Sequence, residues 1–271
     1  MTTRRLDSRV FLEGPAGAGK TTYAVEYMRG LLSDGVPAES VLVLVPQRTV
    51  GRVYQLALHD PAAPLGGDVT IVTLSGLARR SLERFWPLVA GPAGFDPARE
   101  PIFLTVETAQ YYMMRFARTA IEEGVFDAVS VTPPRLVTQL LDNMAKAATA
   151  GFPLEEVADR LVDAWGDRHS SRPPVYRASV QLAQEFRAFC LEKGLLDYAL
   201  QLEVFMGVLL HQPIFQQDFA TRYHHLIVDN LEETGPLVHD FIQFWWEHWQ
   251  SALLVYDSDG GYRTFLGADP D

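Results

Sequence analysis

The residues best suited to chemistry lie in one glycine-rich stretch near the start of the chain: Gly14, Pro15, Ala16, Gly17, Ala18, Gly19, Lys20, Thr21 and Thr22. The stretch has the form G-x-x-x-x-G-K-T, with an apolar run before it and a helix-compatible run after it. Its glycines allow the backbone to point consecutive N–H groups inward as an anion nest. In this pattern Lys20 reaches the β- and γ-phosphates of a nucleotide, and the Thr21 hydroxyl coordinates Mg²⁺. We therefore predict a nucleotide-binding loop, against the alternative of a glycine-rich turn that matches by chance.

A second candidate for metal chemistry is an acid at the end of an apolar run, Leu226-Ile227-Val228-Asp229. At the carboxyl end of a buried strand, Asp229 can hold Mg²⁺, usually through water, opposite Thr21. Proteins of this class that hydrolyse nucleotides usually carry a glutamate at the next position, where it orients the attacking water. Here the next residue is Asn230, which is not a useful base.

Two further acids follow shortly after this asparagine. Glu232 and Glu233 could substitute for the missing glutamate, which would make them catalytic residues. They could equally be first-turn acids on the helix that leads to Pro236, stabilised by its dipole. The residues alone leave both interpretations open.

Polar and basic residues follow the second and third apolar runs of the chain. They are Gln47, Arg48 and Arg52 after the second run, and Thr73, Ser75, Arg79 and Arg80 after the third. Such groups can form a rim that contacts the phosphates of a nucleic acid. A solvated arginine face is the alternative, and composition does not separate the two.

The elements that must position these groups alternate between strand and helix. We predict strands at residues 9–13, 41–45, 69–73, 225–229 and 252–256. Helices are predicted at residues 20–33, 47–59, 75–85 and 236–250. This alternation indicates an α/β fold with a parallel sheet, and ligands then bind at the carboxyl ends of the strands.

From about Pro87 the pattern changes to amphipathic segments with no convincing strand. Helical segments are predicted at residues 105–123, 134–150, 154–165, 175–193 and 197–210, with proline and glycine between them. We therefore predict one domain from residues 1–86 and 222–271, and an all-helical insertion over residues 87–221.

The composition of the chain limits the classes of protein to which it can belong. The net charge of −11 gives no support to a strongly basic nucleic-acid binder, although a local basic face can occur on an acidic protein. Cys190 is the only cysteine, which excludes an intrachain disulfide and fits a reducing cytoplasm. No apolar run is long enough to span a membrane. We interpret the remaining notable side chains as structural: His224, His225 and His239, and the aromatic cluster Phe241, Phe244, Trp245, Trp246 and Trp249.

The ordered motifs resemble those of superfamily 1 DNA helicases of the UvrD/Rep type and of their relatives in the AddAB recombination nuclease. The resemblance includes the phosphate loop, motif Ia at residues 41–49, motif Ib at 73–78, the stretch 194–198 before motif II, motif II at 223–234 and motif III at 257–270. Within motif Ia, Val45-Pro46-Gln47 is closer to the AddB form than to the UvrD form. The resemblance covers nearly the whole chain.

The resemblance implies a RecA-like P-loop NTPase domain whose helical insertion is similar to subdomain 1B. It implies ATP and Mg²⁺ as cofactors and single-stranded or partly duplex DNA as partner. It is also compatible with a nuclease or helicase partner subunit. Residues implied as catalytic are Lys20, Asp229, Glu232 and Glu233. The implied DNA contacts are Gln47, Arg48, Thr73, Ser75 and Phe265, the last by stacking on a base.

The chain departs from this family at positions that matter for hydrolysis. Asn230 stands at the family's catalytic glutamate, and Gly260 replaces the motif III glutamine that senses the γ-phosphate. Glu232 and Glu233 stand at the glutamine and the aspartate of motif II. The glutamine motif that precedes the phosphate loop is missing, as in AddB-type chains. Nucleotide binding therefore follows from the resemblance more directly than hydrolysis or unwinding.

Three functions compete on this basis. The first is an ATP-binding helicase domain that acts on DNA in repair or recombination. The second is a catalytically inactive, AddB-like structural or DNA-scanning subunit, which Asn230 and Gly260 favour over a fully active motor. The third is a small P-loop kinase, which the long helical insertion disfavours. Because the sequence ends just after motif III, we expect it to be an N-terminal piece of a longer protein.

Overall fold

The computed structural model describes residues 9–59, 67–165 and 172–260. The chain divides into two compact units, one built from residues 1–78 and 211–271 and the other from residues 79–210. Each unit is described separately below.

The first unit contains a five-stranded sheet in which every neighbouring pair is parallel. Its strands are β1 (Arg9–Gly14), β2 (Val41–Leu44), β3 (Thr70–Val72), β6 (His225–Val228) and β7 (Ser251–Asp257). Their order across the sheet is β1-β7-β6-β2-β3. The predicted α/β fold with a parallel sheet is confirmed. Because β7 lies between β1 and β6, one strand separates the phosphate loop from the acid that follows β6.

The helices of this unit are α1 (Lys20–Ser33), α2 (Arg52–Leu58), α9 (Pro213–Arg222) and α10 (Pro236–Phe244). The face of α1 formed by Ala24, Met28 and Leu31 is buried in one apolar cluster with β2. Residues of the central strands β2 and β6 are buried throughout, as expected for parallel strands covered on both faces.

Two local predictions in the first unit were wrong, and one of its helices was not predicted. Helix α2 begins at Arg52 rather than near residue 47, because hydrogen-bonded turns occupy the preceding segment. Gly51, directly before the helix, packs closely on Ile71, since a Cβ at Gly51 would be 2.9 Å from the Ile71 side chain. Helix α9 was not predicted, since it buries only Phe215 and Phe219 and so has little apolar periodicity. The last predicted helix ends early, at Phe244.

The early end of α10 is explained by an aromatic core. A 3₁₀ turn, Trp246–His248, follows the helix and allows two tryptophans to pack on the same ring, Phe219. The ring centroids of Trp245 and Trp249 lie 4.4 and 5.9 Å from that of Phe219, and both tryptophans are buried. The predicted aromatic core is confirmed for Phe241, Trp245 and Trp249, whereas Trp246 is half-buried and Phe244 is exposed.

The second unit is mainly helical. Its helices are α4 (Val106–Glu122), α5 (Pro133–Ala150), α6 (Val157–Trp165), α7 (Pro173–Lys193) and α8 (Tyr198–Gly207). A preceding helix, α3 (Leu74–Val89), contains Pro87 and has one non-helical residue, Phe85. Pro87 has no N–H to bond the carbonyl four residues before it, and its ring crowds that carbonyl, which kinks a helix. The prediction of no strand here was wrong: β4 (Ile102–Phe103) pairs in parallel with β5 (Leu195–Leu196). Strands this short leave no periodic pattern in a sequence.

Helix boundaries in the second unit follow local capping rules. Asp197 precedes α8 as its N-cap, and its carboxylate accepts a hydrogen bond from the Leu200 N–H at 3.0 Å. Gly151 and Gly194 directly follow α5 and α7, both with left-handed backbone, which glycine adopts without steric cost.

Candidate nucleotide-binding site

The predicted phosphate loop connects β1 to α1. Gly17 and Gly19 have φ of 78° and 85°, the left-handed region that glycine adopts at no steric cost. Helix α1 begins at Lys20, so the positive end of its dipole lies at the end of the loop. This is the backbone arrangement that binds the phosphates of a nucleotide.

A cavity of about 290 Å³ opens beside this loop. Its wall combines the loop and start of α1, the segment after β6, and the end of β7. The lining residues are Gly17, Gly19, Lys20, Thr21, Thr22, Asp229, Asn230, Glu232, Val255 and Asp257. The fold thus brings together the loop and the acids that the sequence separates by about two hundred positions. Glu233 is not among the lining residues.

Asp229 and Thr21, the two predicted Mg²⁺ ligands, lie in contact. The Thr21 hydroxyl donates to Asp229 Oδ1 at 3.4 Å. Among the described residues, no group of three or more His, Cys, Asp or Glu side chains could hold a metal ion. One hydroxyl and one carboxylate suit Mg²⁺, which usually takes its remaining ligands from water and from substrate phosphates. These residues therefore fit a nucleotide-bound Mg²⁺ rather than a metal site made by protein alone.

The Asp229 carboxylate is anchored from the core side as well. Its second oxygen, Oδ2, accepts a hydrogen bond from the Tyr54 hydroxyl at 2.9 Å, and its backbone N–H donates to the Leu44 carbonyl at 3.0 Å. Burial raises the pKa of Asp229, and the hydrogen bonds from Tyr54 and Thr21 act in the opposite direction. Burial and the nearby Asp229 charge raise the pKa of the Tyr54 phenol, which therefore keeps its proton and donates. Sequence reasoning missed Tyr54 entirely.

Lys20 has three oxygen partners in this conformation. Its Nζ donates to the carbonyls of Gly14 at 2.8 Å and Pro15 at 2.6 Å, and it forms an ion pair with Asp257. A second acid from the same segment also contacts the loop, because Asp259 Oδ1 accepts from the Ala16 N–H at 3.2 Å. The resemblance to motif III includes this segment but identified neither acid. The sequence feature that could have identified them is the pair of acids on either side of Ser258, directly after the last predicted strand.

Asn230 has backbone of the left-handed region, with φ 54° and ψ 54°, and is the one non-glycine residue with positive φ in the described ranges. Its Nδ2 donates to Glu232 Oε1 at 3.2 Å, and Glu232 Oε2 accepts from the Asp257 N–H at 2.9 Å. Burial raises the pKa of Glu232, which is 1% exposed. Glu232 therefore links the segments that follow β6 and end β7.

Neither Glu232 nor Glu233 lies in the first turn of α10. Both belong to a separate 3₁₀ turn, Leu231–Glu233, and the first turn of α10 carries no acid. They are first-turn acids of this 3₁₀ turn, which precedes Pro236, and not of α10. Thr234 and Gly235, which separate this turn from Pro236, both have extended backbone.

The residues predicted to contact DNA follow two neighbouring strands. Because Leu44 of β2 pairs with Val72 of β3, the segment of Gln47 and Arg48 and the segment of Thr73 and Ser75 start at the same edge of the sheet. Arg48 is exposed and Gln47 half-buried. Thr73 Oγ1 lies 3.1 Å from Ser75 Oγ and accepts from the Gly76 N–H at 3.1 Å, so these hydroxyls also help to start α3. Phe265 lies outside the described residues.

His225 has a structural environment, as predicted. It is buried in β6, and its Nδ1 lies 2.8 Å from the Ser251 hydroxyl on the neighbouring strand. His239 Nε2 lies 3.2 Å from the Thr234 hydroxyl. These contacts hold strands and turns together and bring no further metal ligand to the cavity.

Comparisons with known proteins agree with this geometry. A family model described as the UvrD/REP helicase N-terminal domain matches residues 2–271. A search of curated proteins found no match to the chain. No helix among the described residues is long and apolar enough to cross a membrane.

Proposed function

The chain belongs to the UvrD/REP helicase N-terminal domain family, and from this premise we propose that it binds Mg-ATP in the cavity beside the phosphate loop. The observation that carries the proposal is the contact between Thr21 and Asp229, which join the loop to the end of β6 across that cavity. In this proposal residues 1–86 and 222–271 form the RecA-like ATP-binding domain, and residues 87–221 form an insertion similar to subdomain 1B.

Each part of the site has a distinct task. The backbone N–H groups of residues 14–22 and the start of α1 surround the phosphates. Lys20 exchanges its partner Asp257 for the β- and γ-phosphates. Thr21 and Asp229 hold the Mg²⁺, which when bound neutralises charge on the phosphate oxygens.

DNA is the second ligand that a helicase domain implies, and we place its contacts at the sheet edge where β2 and β3 end. Gln47, Arg48, Thr73 and Ser75 follow these strands, and they offer amide, guanidinium and hydroxyl donors to a phosphate backbone. Single-stranded or partly duplex DNA is the proposed substrate, with Phe265 stacking on a base. Such a domain would act in DNA repair or recombination in the cytoplasm, alone or with a nuclease or helicase partner subunit.

Hydrolysis would require a carboxylate that orients water, in addition to Lys20 and Asp229. Glu232 lines the cavity and is the better candidate, whereas Glu233 does not line it. Both oxygens of Glu232 are, however, already hydrogen-bonded, one to Asn230 and one to Asp257. This observation favours the second candidate function, an AddB-like structural or DNA-scanning subunit that binds nucleotide without turnover.

Equilibrium binding of a fluorescent ATP analogue with Mg²⁺ tests the nucleotide site. The Lys20→Ala variant should bind at least about tenfold more weakly, a loss of about 1.4 kcal/mol, with an unchanged circular dichroism spectrum. Wild-type affinity in that variant would overturn the assignment of the loop. ATP hydrolysis that single-stranded DNA accelerates would overturn the inactive alternative, and failure to bind an oligonucleotide in an anisotropy titration would overturn the DNA assignment.

A further inference from the structure

A buried tyrosine lies directly behind the proposed metal-holding carboxylate. Tyr54 belongs to α2 and is completely buried, and its hydroxyl donates to Asp229 Oδ2 at 2.9 Å. The other oxygen, Oδ1, accepts from the Thr21 hydroxyl at 3.4 Å and from the Asn230 N–H at 3.1 Å. The two oxygens of one carboxylate therefore have separate partners: Oδ2 bonds to the core tyrosine, and Oδ1 bonds to the hydroxyl that shares the metal.

This division of partners has a physical consequence. The terminal torsion of an aspartate is broad and roughly two-fold, so the side chain alone does not select the oxygen that meets the cavity. A hydrogen bond from a buried donor restricts that rotation, and such outer contacts orient metal-binding side chains in proteins generally. Tyr54 suits this task because its ring is held by the packing of the core that contains α1 and β2.

We propose that Tyr54 is a positioning residue for the Mg²⁺–nucleotide site, which orients the Asp229 carboxylate so that Oδ1 stays beside Thr21. The inference rests on the proposed binding of Mg-ATP. Tyr54 itself touches neither metal nor nucleotide in this role. Its removal should weaken the contribution of Mg²⁺ to nucleotide affinity and leave the metal-free contacts of the phosphate loop unchanged.

The test is the Tyr54→Phe variant of the 271-residue chain, which keeps the ring and removes the hydroxyl. Affinity for a fluorescent ATP analogue is measured with Mg²⁺ and again with EDTA. Tyr54→Phe should reduce the Mg²⁺-dependent gain in affinity by about tenfold, the lower end of the roughly 10- to 100-fold loss that usually follows removal of a partner of a metal ligand. Its affinity in EDTA should equal that of the wild type.

Tyr223→Phe is the matched control. Tyr223 is also buried, and its hydroxyl lies 3.2 Å from the Thr70 hydroxyl, so the variant loses a buried tyrosine hydrogen bond elsewhere in the same unit. Its affinities should match the wild type under both conditions. Thermal melts of both variants measure the loss of stability that the missing hydroxyl causes in each.

A double-mutant cycle supplies the second arm. In an Asp229→Asn background the charged carboxylate is gone, so adding Tyr54→Phe should not change the Mg²⁺ dependence further. An additional loss in that background would overturn the proposal, as would a Tyr54→Phe variant whose affinity falls equally with Mg²⁺ and with EDTA. Wild-type Mg²⁺ dependence in Tyr54→Phe would also overturn it. A wild-type chain that binds no nucleotide at all would instead contradict the proposed function.

Discussion

The Lys20 ammonium group forms an ion pair with the Asp257 carboxylate at the end of β7. Parallel pairing explains the contact, because Gly14 at the end of β1 stands opposite Asp257 in the register of β1 and β7. The Lys20 side chain is 9% exposed and that of Asp257 20%, so water screens the pair only in part. A phosphate group that enters the loop must therefore displace an acid from the lysine that would bind it.

This competition predicts that Asp257→Asn strengthens nucleotide binding. Removal of the competing charge should raise the affinity for a fluorescent ATP analogue up to about fivefold, since such ion pairs contribute up to about 1 kcal/mol. Asp259→Asn is the comparison variant, because Asp259 accepts from two neutral donors, the Ala16 N–H and the Ser258 hydroxyl, and its effect should be smaller. Weaker binding by Asp257→Asn would show that this carboxylate contributes to the bound state.

The contact between Asn230 and Glu232 predicts the outcome of restoring a glutamate at position 230. Asn230→Glu puts a second carboxylate where an amide now donates to Glu232, and it puts a longer side chain on left-handed backbone that costs about 1–2 kcal/mol. The single variant should therefore melt at a lower temperature and hydrolyse ATP no faster. The double variant Asn230→Glu with Glu232→Gln should recover stability, because glutamine can donate to the new carboxylate.

ATP hydrolysis with single-stranded DNA and thermal melts measure both effects. Faster hydrolysis by the single variant would mean that position 230 alone limits turnover. An unchanged melting temperature would mean that the left-handed backbone and the Glu232 contact place no demand on residue 230.

The phosphate loop, Asp229 and the parallel sheet were predictable because each depends on a local pattern. A strand, a glycine-rich loop and a helix follow one another directly over β1 and α1, and Asp229 directly follows a run of buried residues. Parallel strands then bring their carboxyl ends to the same edge whatever the intervening chain contains. The insertion between β3 and β6 therefore did not obscure the site.

The remaining features depend on packing between distant residues. Tyr54 and Asp229 are 175 positions apart in sequence, and they meet only because α2 packs against the sheet. Nothing in the segment around Tyr54 distinguishes it from an ordinary core tyrosine. The contact between Lys20 and Asp257 depends on the register of β1 and β7. The β4–β5 pair joins two residues from each strand, which is too short for any periodicity.

Close packing between Gly260 and Glu232 predicts that a side chain at position 260 disturbs the site. A Cβ at Gly260 would lie 2.6 Å from Glu232 Cγ, a distance that real Cβ atoms essentially never show, and 3.0 Å from Asp257 Cβ, which is tighter than most real contacts. Gly260→Ala should therefore lower the free energy of unfolding by about 1–3 kcal/mol, as overpacking generally does.

A double-mutant cycle with Glu232→Ala checks the cause of that loss. Truncation of Glu232 removes the atom in conflict, so Gly260→Ala should cost at least about 0.5 kcal/mol less in that background. Equal costs in both backgrounds, measured by urea unfolding, would mean that Glu232 is not the obstacle. The glutamine that relatives carry at this position would meet the same obstacle here.

A buried acid in the helical unit predicts a specific pH dependence of stability. Asp197 is 5% exposed, and burial raises its pKa despite the opposing hydrogen bond from the Leu200 N–H and the nearby Arg187. Its contribution to stability is therefore fully present below the unfolded pKa of about 3.9 and is lost as pH rises through the higher native pKa.

Asp197→Asn keeps a good N-cap for α8 and removes the buried charge. The variant should be more stable than the wild type near neutral pH, and this advantage should shrink as the pH falls toward about 4. Thermal melts of both chains across this range measure the difference, and parallel curves would contradict the raised pKa.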